Sequence, residues 1–432
     1  ASSQESTHMI RIILIRHGRT AWNTDDGPGE RFRGSIDLPL TAEGKAQARA
    51  TAQRLASVPL AAVYSSPLQR AAETARIIGE PHGLAVQKVS GLRSMDYGQW
   101  AGQSHADVAH HWPDLYRRWR RDPFSIQIPD GESWTGLRNR ALAALQGLLA
   151  RHADGDTLAL VSHQAVTRTL VCALAGLPDP GYWQFRQGLC NLSHFDYHSA
   201  RDEFVLVGLN DTCHLARNHP APGGSATRII LVRHGQTAWN AGAREERFRG
   251  RTDLPLDQVG ALQAKAVAER LEDEPVEALY ASPLLRTRQT AAPLAKRLDL
   301  PVQPHDGLLD IDYGRFQGLT HSEANRTSPE LYAHWRTTPG RLQFPGGEGL
   351  ADVQARLQAL LQEVVACHRG QSVALVGHQI VNKVLVCTLL GLDLDQIWRV
   401  QQDTCGLDVF QQASQGWHTI SLNDVCHLAG DQ

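Results

Sequence analysis

Two spacings of apolar positions alternate along this chain. Runs such as IRIILI (10–15), LAAVYSSP (60–67) and DTLALVS (156–162) are short, aliphatic and closed by polar residues, the pattern of buried strands. Between them lie TAEGKAQARATAQRLAS (41–57), LQRAAETARIIGEPHG (68–83), WTGLRNRALAALQGLLARH (134–152) and AVTRTLVCALAGL (165–177). Their apolar residues recur at helical intervals and predict amphipathic helices. Thr41 suits an N-cap with Glu43 nearby, and Pro81 and Gly83 close the second helix. A short strand is expected near Val86, then an irregular stretch, and the last two strands near 190–195 and 204–209. Strands alternating with helices predict an α/β fold, an α/β/α sandwich around a mostly parallel sheet.

The pattern then starts again. LIRHGRTAWN at Leu14 and LVRHGQTAWN at Leu231 agree at eight of ten positions, each directly after a strand-like run. RFRG at Arg31 recurs at Arg247, YSSPL at Tyr64 as YASPL at Tyr280, DYG at Asp96 again at Asp312, and LNDTCHL at Leu209 as LNDVCHL at Leu422. The offset is 217 residues at the first pair and 213 at the last, so a whole domain is duplicated rather than a short solenoid unit. Two domains are expected, 9–215 and 228–432. They are joined by a Pro-, Gly- and Ala-rich linker, ARNHPAPGGSAT, over 216–227. The two domains are expected to pack against each other.

Three polar motifs follow three strands: RHG, SPLQR and SHQ (GHQ in the second half). Active sites of such sheets lie beyond the strand C-termini, so the motifs should meet at one edge. Two His (His17, His163) and two Arg (Arg16, Arg70) then share a crevice, with Asn23 in the loop between. Arginine offers planar, permanently charged donors for a phosphoryl group. A neighbouring imidazole kept neutral by those charges can attack phosphorus. Such a cluster stabilises phosphoryl transfer by position and charge, and no metal or other cofactor is expected.

RHGxTxWN, SPLxR, the late His after a strand and GE in mid-domain together resemble the histidine phosphatase (phosphoglycerate mutase-like) superfamily over nearly all of both halves. The resemblance implies an α/β sandwich and a phosphohistidine at His17 and at His234. It implies phosphoryl binding by Arg16, Asn23, Arg70 and His163 in the first copy. In the second it implies the same for Arg233, Asn240, Arg286 and His378. It also implies an acid in a motif of the form L-x-E-x-x-x-G-x-x-x-G. The second copy, LLDIDYGRFQG, has Asp310 there; the first, LRSMDYGQWAG, has Ser94. Serine does not usefully protonate an alkoxide near neutral pH. Both copies keep an Asp two residues on, Asp96 and Asp312, and in an extended loop positions i and i+2 share a side. Either Asp96 substitutes, or the first copy is a slow phosphatase or a binding pseudo-site. The family's Glu after RHG is replaced by Arg19 and Gln236; Arg19 either favours a substrate with a carboxylate or second phosphate, or is a solvated loop residue.

The expected function is metal-independent hydrolysis of small phosphomonoesters, sugar or sugar-acid phosphates. The alternatives are phosphoglycerate mutase-type transfer, or a phospho-ligand sensor with a degenerate first site. Only about 60 residues separate Gly102 from His163, little room for the lid a mutase uses to retain its intermediate. Arg31 and Arg247 either clamp substrate or cap the loop. Glu132 and Glu348 either cap a helix or touch the pocket. His214 and His427 read as structural. Trp112, Trp119 and Trp335 read as packing rather than lid residues.

A net charge of −2 implies no nucleic-acid footprint, and SHADVAHHWPDLYRRWRRDP (104–123) loses its basic character in the second copy. No run of about 18 apolar residues points to a membrane partner. The opening ASSQESTHM reads as a tag remnant, and the run after it is too short for a secretory signal. A cytoplasmic protein is expected, its partner a small phosphorylated metabolite. Its seven Cys fit that, six of them matched between the halves, none in CxxC pairs, and are expected to be buried and reduced.

Overall fold

The first buried run forms strand β1 (Ile10–Arg16), every residue buried except Arg11. Consecutive side chains point to opposite faces. Ile13 and Ile15 pack with Leu55, Ala71, Ala75 and Ile78 from the first two helices, while Ile12 and Leu14 are equally buried on the other face. Burial on both faces is what a helix-covered sheet requires, and is worth about 1.5–3 kcal/mol for each large aliphatic side chain.

The structure is a computed structural model and describes residues 9–23, 30–215, 226–240, 246–413 and 416–428. Contacts divide the chain into two compact units between residues 217 and 218. The proposed linker, 216–227, lies outside the described residues except for its last two positions.

In the first unit β1 is followed by α1 (Ala42–Leu55), β2 (Leu60–Ser65), α2 (Gln69–Gly79) and β3 (Val86–Lys88). Then come α3 (His105–His111), α4 (Pro113–Arg121), α5 (Trp134–Leu149), β4 (Thr157–Ser162), α6 (Gln164–Ala175), β5 (Leu192–His198) and β6 (Glu203–Asp211). Thr41 caps α1 by accepting from Gly44 N at 3.1 Å. The sheet order is β3-β2-β4-β1-β5-β6. The first four strands are parallel, and β5 and β6 antiparallel. The irregular stretch expected after β3 holds two short helices, α3 and α4. Ser104 caps α3 in a reciprocal box with Asp107, and Pro113 opens α4.

The second unit repeats the plan with β7 (Arg228–Arg233), α7 (Gln258–Arg270), β8 (Val276–Ala281), α8 (Leu285–Leu298) and β9 (Val302–Pro304). It continues with α9 (His321–Thr327), α10 (Pro329–Thr337), α11 (Leu350–Cys367), β10 (Ser372–Gly377), α12 (Gln379–Leu390), β11 (Leu407–Ala413) and β12 (Gly416–Asp424). Its sheet order is β9-β8-β10-β7-β11-β12. Among the described residues no helix is long and apolar enough to cross a membrane.

Trp119 and Trp335 are buried against aromatic neighbours, Trp183 and Trp398 respectively, which makes them packing residues; Trp112 is half-buried. None of the seven cysteines is in a disulfide. Cys172, Cys190, Cys387 and Cys405 are buried as expected, but Cys213 and Cys426 are only half-buried and Cys367 is exposed.

Candidate active site

Parallel neighbours β2, β4 and β1 end side by side, and the three polar motifs leave from those ends. In the second unit Arg233 is the last residue of β7, His234 follows it, and His378 caps α12 just after β10. The His234 and His378 rings meet edge to face with centroids 5.4 Å apart; His17 and His163 do the same at 5.2 Å.

A single contact sets the tautomer of the histidine in each RHG. His234 Nδ1 lies 2.7 Å from the Gly235 carbonyl oxygen, as His17 Nδ1 lies 2.7 Å from Gly18 O. A carbonyl only accepts, so Nδ1 carries the proton and Nε2 keeps its lone pair. His234 Nε2 is buried without a partner. Both imidazoles are held well below the ordinary histidine pKa, by burial first and then by guanidinium groups: Arg286, Arg233 and Arg249 around His234, and Arg70, Arg16 and Arg33 around His17. Both rings are therefore neutral at physiological pH.

The guanidinium groups are anchored by backbone carbonyls. Arg286, near the start of α8, donates to Thr252 O and Gly250 O, each at 2.8 Å, and Arg70 donates to Ile36 O at 2.7 Å and Gly34 O at 2.8 Å. Arg16 donates to Gln187 O and Arg233 to Gln402 O. The Nε atoms of Arg233, Arg249 and Arg286 are buried and unbonded, as is His378 Nδ1. So many unspent nitrogens in one buried site fit an oxyanion. Asn240 and Asn23 belong to the same loop: Thr237 and Thr20 donate to their Oδ1 through both N and Oγ1, which leaves the amide NH2 as donor.

Arg249 and Arg33 escaped the sequence reading, which considered only the first arginine of each RFRG. The exposed Arg31 and the partly buried Arg247 are loop ties, donating to Gly102 O at 2.8 Å and Gly318 O at 2.7 Å. The third residue of the motif turns inward. Arg249 is buried and paired with Glu246 at 3.0 Å, and Arg33 is paired with Glu30 at 3.2 Å. Periodicity cannot separate two arginines that both flank a buried Phe.

At the acid position the two sites differ. Asp310 Oδ2 lies 3.1 Å from Arg286 Nη2 and 3.7 Å from His378 Nδ1. Burial outweighs the positive charges of Arg286 and Arg249, and the carboxyl pKa is raised above the ordinary value. In the first site Ser94 is also buried, and Arg70 Nε instead donates to His163 Nδ1 at 3.2 Å. Asp96 is not brought to the histidines: its Oδ1 accepts from Gly98 N at 3.0 Å, the same turn that Asp312 makes with Gly314 N at 2.9 Å. Since the second copy has both aspartates and uses Asp312 for the turn, Asp96 is the turn residue.

Glu132 and Glu348 do neither of the things expected of them. The caps of α5 and α11 are Ser133 and Gly349. Glu348 accepts from Asp312 N at 3.0 Å and contacts Arg356, and Glu132 binds Arg140 at 2.6 Å, so both brace the acid-motif loop. Arg19 is held within the signature loop, pairing with Glu43 at 2.9 Å and donating to Asn23 O at 3.0 Å. His214 and His427 are structural as expected, with Nε2 3.0 Å from Cys190 O and Cys405 O. Asp211, Cys213 and His214 bring ligand atoms within 4.8 Å of one another at the end of β6, a grouping that could hold a cation. It lies apart from the histidine pair in sequence and carries none of its contacts.

Sequence comparison gives these arrangements a family. The model of the histidine phosphatase superfamily (branch 1) matches residues 12–212 and again 229–425. Phosphoserine phosphatase 1 of Hydrogenobacter thermophilus is 34% identical over 201 residues, 46% of this chain and 94% of the relative. The 2-carboxy-D-arabinitol-1-phosphatase of Triticum aestivum is 32% identical over 195 residues, 45% of this chain but only 39% of the relative. A solved mycobacterial glucosyl-3-phosphoglycerate phosphatase aligns at 29% identity and a TM-score of 0.43, covering 46% of this chain and 99% of its own. Matched in both halves, the chain belongs to the histidine phosphatase superfamily, branch 1, as a tandem two-domain phosphoric monoester hydrolase.

Proposed function

We propose that the second domain hydrolyses small phosphomonoesters in two steps through a phosphohistidine at His234 Nε2. The observation that carries this is the unbonded, neutral Nε2 among the unspent nitrogens of Arg233, Arg249, Arg286 and His378. Nε2 attacks phosphorus as the ester P–O bond breaks, and Asp310 gives its proton to the departing alkoxide. The resulting carboxylate then takes a proton from water as that oxygen attacks phosphorus and the P–N bond breaks. The guanidinium groups, with the Asn240 amide and His378, hold the equatorial oxygens, where charge stabilisation is worth most in a buried site.

The substrate class is a sugar or sugar-acid phosphate. Relatives named for phosphoserine and for a carboxy-sugar phosphate support a leaving alcohol that carries a carboxylate. Beside the signature loop a cleft of about 630 Å³, lined by Trp239, Arg247, Thr320, Glu323 and Arg326, has room for the rest of such a molecule.

The test is steady-state hydrolysis of a phosphomonoester panel by His17→Ala, His234→Ala and the double variant. His234→Ala is expected to lose nearly all turnover of alkyl phosphates and His17→Ala little. A double variant as active as the parent would refute the phosphohistidine reading.

A further inference from the structure

The two sites keep the same nucleophile and cations and differ in one proton carrier. From that difference we infer that the first domain accepts phosphoryl groups only from donors whose leaving group needs no proton, namely aryl, acyl or enol phosphates, and holds them as a long-lived phosphohistidine at His17. This rests on the phosphohistidine reading of the previous subsection and extends it to the site that lacks the acid.

The attacking half of the machinery is intact. His17 Nδ1 is engaged with Gly18 O, so Nε2 has its lone pair. Arg16 and Arg70 are buried on their carbonyl anchors, Arg33 sits on Glu30, and Asn23 has its Oδ1 bonded twice. P–N bond formation therefore has its imidazole and its three guanidinium groups, as in the second domain, although here Arg70 Nε is spent on His163 Nδ1.

The proton-donating half is missing from the described residues. Among the described residues, four carboxylates of the motifs around this site are engaged in contacts of their own. Asp96 holds Gly98 N, Glu132 holds Arg140, Glu30 holds Arg33, and Asp37 accepts from Gln69 N at the start of α2. The Ser94 hydroxyl is too weak an acid. His163 cannot stand in. Its Nδ1 accepts from Arg70 Nε at 3.2 Å, so its single proton is on Nε2, 2.7 Å from Ser66 Oγ. Burial, reinforced by Arg70, keeps it from gaining a second one.

The chemistry follows from that balance. When His17 Nε2 forms the P–N bond, the P–O bond breaks and its electron pair leaves on oxygen. A phenolate, carboxylate or enolate departs as a stable anion with no proton moved, whereas an alkoxide does not. The return step has the same defect. Water attacking phosphorus must lose a proton, and among the described residues no carboxylate stands where Asp310 does in the second domain, so the P–N bond persists.

The experiment uses the full chain carrying His234→Ala, rapidly quenched with p-nitrophenyl phosphate and, separately, with glycerol 2-phosphate. We expect a burst approaching one p-nitrophenol per chain, slow turnover afterwards, and acid-labile, alkali-stable phosphate on His17. The aryl-to-alkyl ratio of kcat/KM should exceed that of His17→Ala by about 10²–10⁴, the usual contribution of a general acid. Ser94→Asp in the same background should lower the ratio and abolish the burst. Asp310→Ser in the His17→Ala background should impose the restriction on the second domain, a check that does not depend on how the first tolerates a new carboxylate. Equal ratios in the two single-site proteins would overturn the inference. So would p-nitrophenol release by His234→Ala no greater than by the double variant. Turnover by both single-site proteins with label on neither histidine would instead sink the phosphohistidine reading itself.

Discussion

Arg286 Nη2 and Asp310 Oδ2 sit 3.1 Å apart with both side chains almost wholly buried, yet the carboxyl group is held above its ordinary pKa. An isolated Arg–carboxylate pair favours the ionised acid; here the desolvation of the carboxylate is the larger effect. Burial, against the contact that orients the carboxyl group, thus leaves it a proton to give. A general acid works only while protonated, so activity should fall as pH rises through the raised Asp310 pKa, and burial moves that basic limb upward. Asp310→Asn in the His17→Ala background should slow alkyl phosphate turnover about 10²–10⁴-fold with KM little changed, and the limb should vanish. Persistence of the limb in pH profiles of kcat would assign the proton to another group.

The third guanidinium gives a separate prediction. Arg249 is anchored through Glu246 and follows from the loop whose next carbonyl, Gly250 O, holds Arg286. Arg249→Gln should weaken binding of vanadate to the second site about 10–100-fold, the value of one hydrogen bond between charged groups. Glu246→Gln leaves the guanidinium and removes a negative charge, so it should tighten vanadate. Titrations in the His17→Ala background read both; equal affinity in all three proteins would put Arg249 outside the oxyanion's reach.

Element by element, the strands, the four long helices of each half and the Thr41 cap were legible because each carries its own period and its own stop signals. The short helices α3 and α4 were not. Seven and nine residues make two turns, too few to establish an apolar stripe, and their boundary is set by Ser104 and Pro113 rather than by periodicity. Within the site, residues next to strand ends could be placed because the topology takes all strand ends to one edge. Arg249 and Glu348 could not, since their work depends on which way a loop side chain turns. Only the duplication could have told Asp96 from Asp310: the second copy has an Asp at both positions, and the structure shows one of them closing a turn.

Glycine in RHG is required by a backbone contact. A Cβ on Gly235 would stand 2.6 Å from Gly260 O, and one on Gly18 would stand 2.5 Å from Gly44 O. The signature loop lies directly on the first turn of α7 or α1, in contact at the residue after the histidine. Gly235→Ala must push backbone from backbone. It should cost the second domain about 1–3 kcal/mol, the range for overpacking, and lower kcat by displacing His234. Denaturant melts together with kinetics in the His17→Ala background measure both. Unchanged kcat with lost stability would mean that the contact supports the fold without positioning the nucleophile.

Acid should unfold the two domains unequally. His17, His163, His234 and His378 are all held well below the ordinary value, chiefly by burial, whereas in the unfolded chain they titrate near 6.5. Below that pH the unfolded state binds more protons. Stability therefore falls as pH falls, by up to about 1.4 kcal/mol per pH unit for each histidine, until its folded pKa is reached. The second domain has an opposing group. Asp408, buried in β11 where the first domain has Ser193, is pushed up to about 7 by burial. Its folded form binds the extra proton between the ordinary carboxylate range and pH 7, so it adds stability as pH falls through that window, and the raised Asp310 acts in the same sense. The first domain has neither carboxylate, and instead has His194, lowered to about 4 chiefly by burial. From pH 7 to 5 its unfolding free energy should drop more steeply than that of the second domain. Hydrogen exchange followed on peptides covering 157–162 and 372–377 separates the two. An equal or opposite pH dependence would mean that the buried carboxyls do not hold their protons, and Asp408→Asn should then leave the slope of the second domain unchanged.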